Sequence, residues 1–236
     1  MAVITISGQA GSGAHQIGRL AAEHMRFDYV DQEILVAAAG ALGVPMEAVV
    51  PFDERTAGLG ERLAGMLRRF LERSAAAGAS DPMFGSGGLD VLLGRTYIEA
   101  AAREGLQDVS DERYFASLTG IMRDLATQDN VVIIGRGSQV ILKDHPGAVH
   151  VLLAAPFDRR IEAFAVREGV GPEEARKQVH ERDHGRVAFH QKFFKVDVND
   201  PALYDLTLNT ARFSPEEAAQ FVTEVARGVA ARVTSS

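Results

Sequence analysis

The sequence predicts an α/β fold, a five-stranded parallel sheet covered by helices on both faces. Three observations predict it. Short apolar runs recur near residues 3, 27, 131, 149 and 204, with helical patterns between them. The run Val131-Val132-Ile133-Ile134 is apolar throughout, as strands of a parallel sheet covered on both faces are. Ile4-Thr5-Ile6-Ser7 passes directly into Gly8-Gln9-Ala10-Gly11-Ser12-Gly13 and then a helical pattern. A strand, a glycine turn and a helix in that order gather backbone N–H groups around one point and so cradle an anion, most often a phosphate.

With 236 residues, one domain with insertions and two small domains are both allowed. Apolar residues at 46% and charged residues at 24% fit a globular protein with a full core. The net charge of −7 argues against a general nucleic-acid binder. The absence of cysteine excludes a disulfide framework and a thiolate zinc site. The N-terminus lacks the basic and apolar segments of a signal peptide. No apolar run approaches the ~20 residues of a membrane span. These features lead us to expect a cytoplasmic protein with no nucleic-acid partner and no membrane partner. They leave the oligomeric state open.

Taken in order, Ile17, Leu20, Ala21 and His24 fall on one face of the first helix. Phe27–Val30 is the second strand. Asp31 then either caps a helix beginning at Gln32 or serves a ligand. Gly43-Val44-Pro45 interrupts the pattern, and a short helix can start at Pro45. Residues 61–77 read as a basic amphipathic helix, 77–89 as a loop inside the domain, and 91–103 as a helix. Residues 110–127 read as a helix with Phe115, Leu118, Ile121, Met122 and Leu125 inward. Arg136 follows the third strand at its carboxyl end, where open sheets bind ligands; it is either an anion contact or a surface arginine. Val149–Ala155 is a strand stopped by Pro156, and 157–168 a helix. Gly171-Pro172-Glu173-Glu174 starts another, with proline in the first turn and acids at the positive dipole end. From 176 to 195 the basic residues 176, 177, 182, 186, 192 and 195 outnumber Glu181 and Asp183, a local reversal that suits a polyanion. Tyr204–Asn209 alternates as a strand. Ser214-Pro215-Glu216-Glu217 is a capped helix start, followed by an inward stripe of Ala218, Phe221, Val222, Val225 and Val229.

The glycine loop fits two motifs incompletely. Against G-x-x-x-x-G-K-[ST], Gly8 and Gly13 are in place, but Ala14 and His15 replace the lysine and the hydroxyl. Against G-x-G-x-x-G, Gly11 and Gly13 fit, Gln16 does not, and Asp31 lies where a ribose-binding acid would. A tight turn with no ligand is the third possibility. His15 suits a phosphate contact or packing at the helix start.

Four stretches together resemble the cytidylate kinase-like family, a branch of the P-loop nucleoside monophosphate kinases. They are Ile4–Ser7 with Gly11-Ser12-Gly13 and Ile17-Gly18; Tyr29–Leu35; Val132–Gly137; and Glu181–Arg186 through Phe193-Phe194 to Tyr204–Thr210. The resemblance covers residues 3–36 and 130–225. It implies a single P-loop kinase-like domain over 1–236, with a helical acceptor-side insertion at about 40–128 and a lid at about 171–200. It implies ATP or another nucleoside triphosphate on Gly11, Ser12, Gly13, Ala14 and His15, with Arg160 near the donor base and Mg²⁺ bound. It places the phosphate acceptor, most simply a nucleoside monophosphate, near Asp31 and Arg136. Arg182 and Arg186 would close over the transferring group beside Arg136 as the catalytic residues. Four residues apart on a helix, those two can converge on one anion. The sequence assigns no metal ligand. Two other readings stand beside this one. The loss of the lysine favours a nucleotide-binding regulatory module without kinase activity. Gly11, Gly13 and Asp31 favour a dinucleotide-dependent oxidoreductase, against which Gln16 and the basic segment count.

Overall fold

The structure, a computed structural model, describes residues 2–31, 111–128 and 130–233. The helices expected from Gln32, after Pro45, over 61–77 and over 91–103, and the loop at 77–89, lie outside the described residues. So does most of the insertion expected at 40–128. The chain divides into two compact units, Met1–Asp31 with Gln128–Ser236, and Gln32–Thr127. What is described of the second is the helix Asp111–Thr127 (α2 below). Its Leu118, Ile121, Met122, Leu125 and Ala126 are buried at helical spacing, and Phe115 is half-buried.

In the first unit the strands are β1 (Val3–Gly8), β2 (Asp28–Val30), β3 (Val131–Ile134), β4 (Ala148–Ala154) and β5 (Leu206–Asn209). The helices are α1 (Ala14–Met25), α3 (Ser138–Ile141), α4 (Phe157–Glu168), α5 (Pro172–Phe194) and α6 (Pro215–Val233). The strands form one sheet in the order β2-β3-β1-β4-β5, every pair parallel. Ile4 stands between Val132 and Val149, and Ile6 between Ile134 and Val151. Residues 3 to 7 of β1 and all of β3 are buried, which is why these strands read as continuous apolar runs. Thr5 and Ser7 are the buried polar residues of β1, and the Thr5 hydroxyl pairs with His150 Nδ1 across the β1–β4 boundary at 2.7 Å. On the outer strand β5, Leu208 is buried while Thr207 and Asn209 are exposed, and the sequence alternates accordingly.

One face of the sheet packs against α1 and α6 in a single cluster. The buried stripe of α1 is Ala14, Ile17, Gly18, Ala21 and Ala22. The expected face is therefore rotated: Leu20 is half-buried and His24 exposed. The reason is close approach. A Cβ on Gly18 would stand 2.6 Å from Ile134 Cδ1, so the helix is drawn in over its small residues. The α6 stripe is likewise Ala218, Ala219, Val222, Thr223 and Ala226. Phe221, expected inward, is 37% exposed and packs edge-to-face on Phe213. The start of α6 is the capping box that the sequence predicts. Glu217 N–H donates to Ser214 Oγ at 3.2 Å, and Ser214 N–H donates to Glu217 Oε2 at 2.8 Å.

Candidate functional site

At its carboxyl end β1 runs into the glycine loop. Gly11 and Gly13 have φ of 81° and 83°, left-handed values that favour glycine. Gly13 is the N-cap of α1 with no side-chain cap, so the first N–H groups of the helix open onto the loop. A Cβ on Gly11 would collide with the carbonyl of Arg160. Ser12 is 3% exposed and its Oγ has no partner among the described residues. Ala14 is buried under Gly8. His15, at the position of the usual hydroxyl, has its Nδ1 3.1 Å from Tyr29 Oη on β2.

A hairpin of α4 and α5 closes on this loop. Its small core is Ile161, Phe164, Ala175 and Val179, with Ala10 of the loop packed against it. Arg160 is 5% exposed and so is not an ordinary helix-surface arginine. It donates from Nε to Ala155 O at 3.0 Å, and from Nη1 to Ala10 O at 3.0 Å and Asp183 Oδ2 at 2.6 Å. Asp183 Oδ1 accepts the Ala10 N–H at 2.9 Å. Arg186, one turn along α5, donates from Nη2 to Ser7 Oγ at 3.0 Å and from Nη1 to Asn199 Oδ1 at 2.9 Å. Burial pulls its pKa below the usual range, opposed by Tyr204 and Asp183. Arg182 turns elsewhere, lying over the Phe164 ring of α4 at 4.9 Å. Here the two arginines do not converge on one point: Arg182 stacks on α4, and Arg186 reaches the end of β1.

The turn after β3 is Gly135-Arg136-Gly137, all three at positive φ. Arg136 lies over the Phe189 ring at 5.7 Å, and its Nε is buried without a hydrogen-bond partner among the described residues. A Cβ on Gly137 would enter the Phe194 ring. Asp31 directly follows β2, the neighbour of β3, so Asp31 and Arg136 stand beyond the carboxyl ends of adjacent strands.

A buried chain of polar groups joins this turn to α5. Gln139 Nε2 donates to His190 Nε2 at 3.1 Å and to Tyr204 Oη at 3.2 Å. Tyr204 Oη donates to Val198 O at 2.7 Å. His190 Nδ1–H donates to Arg186 O at 2.7 Å, which leaves Nε2 as the acceptor and the ring neutral. Burial is the main cause that pushes the His190 pKa down to about 4, with Arg186 and Arg136 nearby adding to it.

Sequence reasoning singled out the loop, Arg136, Arg160 and Arg186. It missed Ser7, Gln139, His190, Asn199 and Tyr204 as partners, and it counted Asp183 only as one of two acids within the basic segment. No local signal marks Asp183, whose partner Ala10 lies 173 positions away.

A lysine-less glycine loop on the central strand, an arginine turn on its neighbour and a helical hairpin over both make this an α/β fold of the P-loop NTPase type. A family model described as "Cytidylate kinase-like family" matches residues 3–212, and the chain belongs to that family. A cytidylate kinase of Methanopyrus kandleri is 33% identical over 103 residues, which cover 40% of this chain and 53% of that protein. One of Pyrococcus horikoshii is 36% identical over 133 residues, or 53% of this chain and 68% of that protein. The chain thus spans about half the length of the first relative and two thirds of the second. Among solved structures, an uncharacterised protein from Eubacterium ventriosum is alike in fold, with a TM-score of 0.62 at 15% identity, over 96% of this chain and 99% of that one.

Proposed function

We propose that this protein transfers a phosphoryl group from ATP or another nucleoside triphosphate to a small acceptor, most simply a nucleoside monophosphate. One observation carries the reading. Arg160 and Arg186 come from a helical hairpin to the end of β1, where left-handed glycines open a helix N-terminus that lacks the usual lysine. Phosphoryl transfer asks a protein mainly for positioning and charge neutralisation, and this arrangement supplies both. The N–H groups of residues 11 to 15 hold the donor phosphates. Arg136 takes the acceptor phosphate and Asp31 its polar end. Arg186 and Arg182 neutralise charge at the transferring group from residues 171–200, which serve as a lid over the loop and exclude water. In this reading the whole chain acts as one kinase-like domain.

Mg²⁺ is also implied. It prefers oxygen ligands, and in such sites binds chiefly nucleotide phosphates and water. The position of the usual hydroxyl carries His15, whose Nδ1 meets Tyr29, and both Asp183 oxygens are engaged. Among the described residues no group of three or more His, Cys, Asp or Glu could hold an ion. The described residues therefore do not fit a protein-held Mg²⁺.

A second reading, a regulatory module that binds nucleotide without transfer, draws on Arg186, whose guanidinium is bonded to Ser7 and Asn199 within the protein. Calorimetry with ATP, CMP and NAD, beside an assay for ADP release over a panel of nucleoside monophosphates, separates the readings. Acceptor-dependent ADP release supports transfer. ATP binding with no turnover on any acceptor supports the module. NAD binding alone would overturn both.

A further inference from the structure

We infer that Asp183 and Arg160 are positioning residues that together set the shape of the glycine loop. The inference rests on the loop being the nucleotide site proposed above. The two side chains hold both polar groups of one loop residue. Asp183 takes the N–H of Ala10, Arg160 takes its C=O, and the two bond to each other, closing a ring of three contacts at 2.9, 3.0 and 2.6 Å. All three involve an ionised partner and are of the stronger class.

The neighbours of Ala10 are held from the same side. Gln9 N–H donates to Leu153 O at 3.1 Å, and Gln9 Oε1 accepts from Ala155 N–H at 3.2 Å. Gly11 lies against the Arg160 carbonyl so closely that no Cβ fits. Residues 9 to 11 are therefore pinned by the segment 153–160 and by one acid of α5. The N-terminal turn of α1 beyond them faces the ligand position. The ion pair is well covered, with side-chain exposures of 7% for Arg160 and 24% for Asp183. Removing one partner of such a pair leaves a buried charge and an unpaired loop N–H. The pair also keeps Arg160 neutralised beneath the loop, so its side chain shapes the cradle, and the cradle's pull on an anion comes from backbone N–H groups and the helix end.

The test compares the full chain with Asp183→Ala and with Asp183→Asn, whose amide oxygen can still accept the Ala10 N–H. Hydrogen exchange of residues 9–11 is followed without ligand. ATP affinity is measured by calorimetry, and donor and acceptor KM separately. In Asp183→Ala, exchange at residues 9–11 should quicken about 10-fold or more and ATP affinity fall by about as much, the scale of one charge-assisted hydrogen bond, while acceptor KM stays within about 2-fold. Asp183→Asn, whose amide nitrogen would face the Arg160 guanidinium, should recover only part of the protection. Unchanged exchange in Asp183→Ala overturns the inference. So do donor and acceptor KM that rise together with no recovery in Asp183→Asn, the mark of a general loss of packing. If the unaltered protein binds no nucleotide, the proposed function fails, and the exchange experiment still decides whether the pair holds the loop.

Discussion

Gly13 and Gly137 occupy the same place in two turns. Each is a left-handed glycine, with φ of 83° and 74°, at the start of the helix that follows one of two paired inner strands, β1 and β3. The surroundings differ. The loop after β1 is held by charge, through Asp183, Arg160 and Arg186. The turn after β3 is held by rings, with Phe194 against Gly137 and Phe189 under Arg136. The first turn has both backbone polar groups of Ala10 taken up by side chains, while Ser12 Oγ stays buried without a partner among the described residues. The second keeps buried atoms without a partner among the described residues: Arg136 Nε, Ser138 Oγ and Gln139 Oε1. Charge fixes a backbone in one geometry, while rings exclude water and leave polar capacity unspent.

The largest expected effect strikes the ring-held side. The His190 pKa lies near 4 in the folded protein against 6.5 ordinarily, so the unfolded chain binds more protons between those values. Its contribution is complete above about pH 6.5 and is lost as pH falls toward 4, a drop on the order of 3 kcal/mol. Buried His150, lowered in the same direction, adds to it. Urea melts from pH 4 to 8 should show this slope, and His190→Gln should reduce it. An equal slope in that variant would place the titration elsewhere.

Next is the charge-held side. Arg186→Ala should lower kcat by ~100-fold or more, the scale for losing one preorganised charge stabiliser. Arg186→Lys should recover little, because an ammonium cannot make the planar two-point contact. Since Ser7 and Asn199 lose their partner, a melt should also show a loss of about 1–2 kcal/mol. Full activity in Arg186→Ala would turn the reading toward the non-catalytic module.

Smaller still is the contrast between the two glycines. At Gly137 a Cβ meets both the unfavourable φ and the Phe194 ring; at Gly13 the nearest atom is Ile17 Cδ1 at 3.5 Å, an ordinary contact. Gly13→Ala should therefore cost only the left-handed conformation, about 1–2 kcal/mol, and Gly137→Ala more than that. Gly137→Ala with Phe194→Leu should regain part of the difference. Equal losses by urea melt would mean that the rings do not hold the second turn. The smallest effect belongs to Glu162→Ala, which removes an ion pair with Arg159 whose side chains are 64% and 66% exposed. It should change stability by less than about 1 kcal/mol and leave ATP affinity unaltered.

What the sequence made legible follows from range. The inner strands announce themselves because burial on both faces demands largely apolar residues, and β5 shows instead by its alternation. The Ser214–Glu217 box is read directly because its bonds span three positions. The faces of α1 and α6 were misjudged because close packing there uses alanine and glycine, which a search for large apolar residues passes over. The left-handed glycines pointed to the loop, but its support from Asp183 was invisible, being settled only when the chain returns after 173 positions. The spacing of Arg182 and Arg186 suggested convergence. Their neighbours part them, because Phe164 captures one and Ser7 the other.

Helix α5 touches both turns, at Asp183 near its middle and at His190 toward its end. Those residues are seven apart, about 10 Å along the axis and close to two whole turns, so both face inward. The helix thus acts as a gauge block between two anchor points, and its length between them cannot drift. One extra alanine there would swing His190 by about 100° away from Gln139 while Asp183 stayed in register. An alanine added after Lys195 would leave both anchors engaged. If the two insertions melted alike, the gauge would have no bearing on how the turns are spaced.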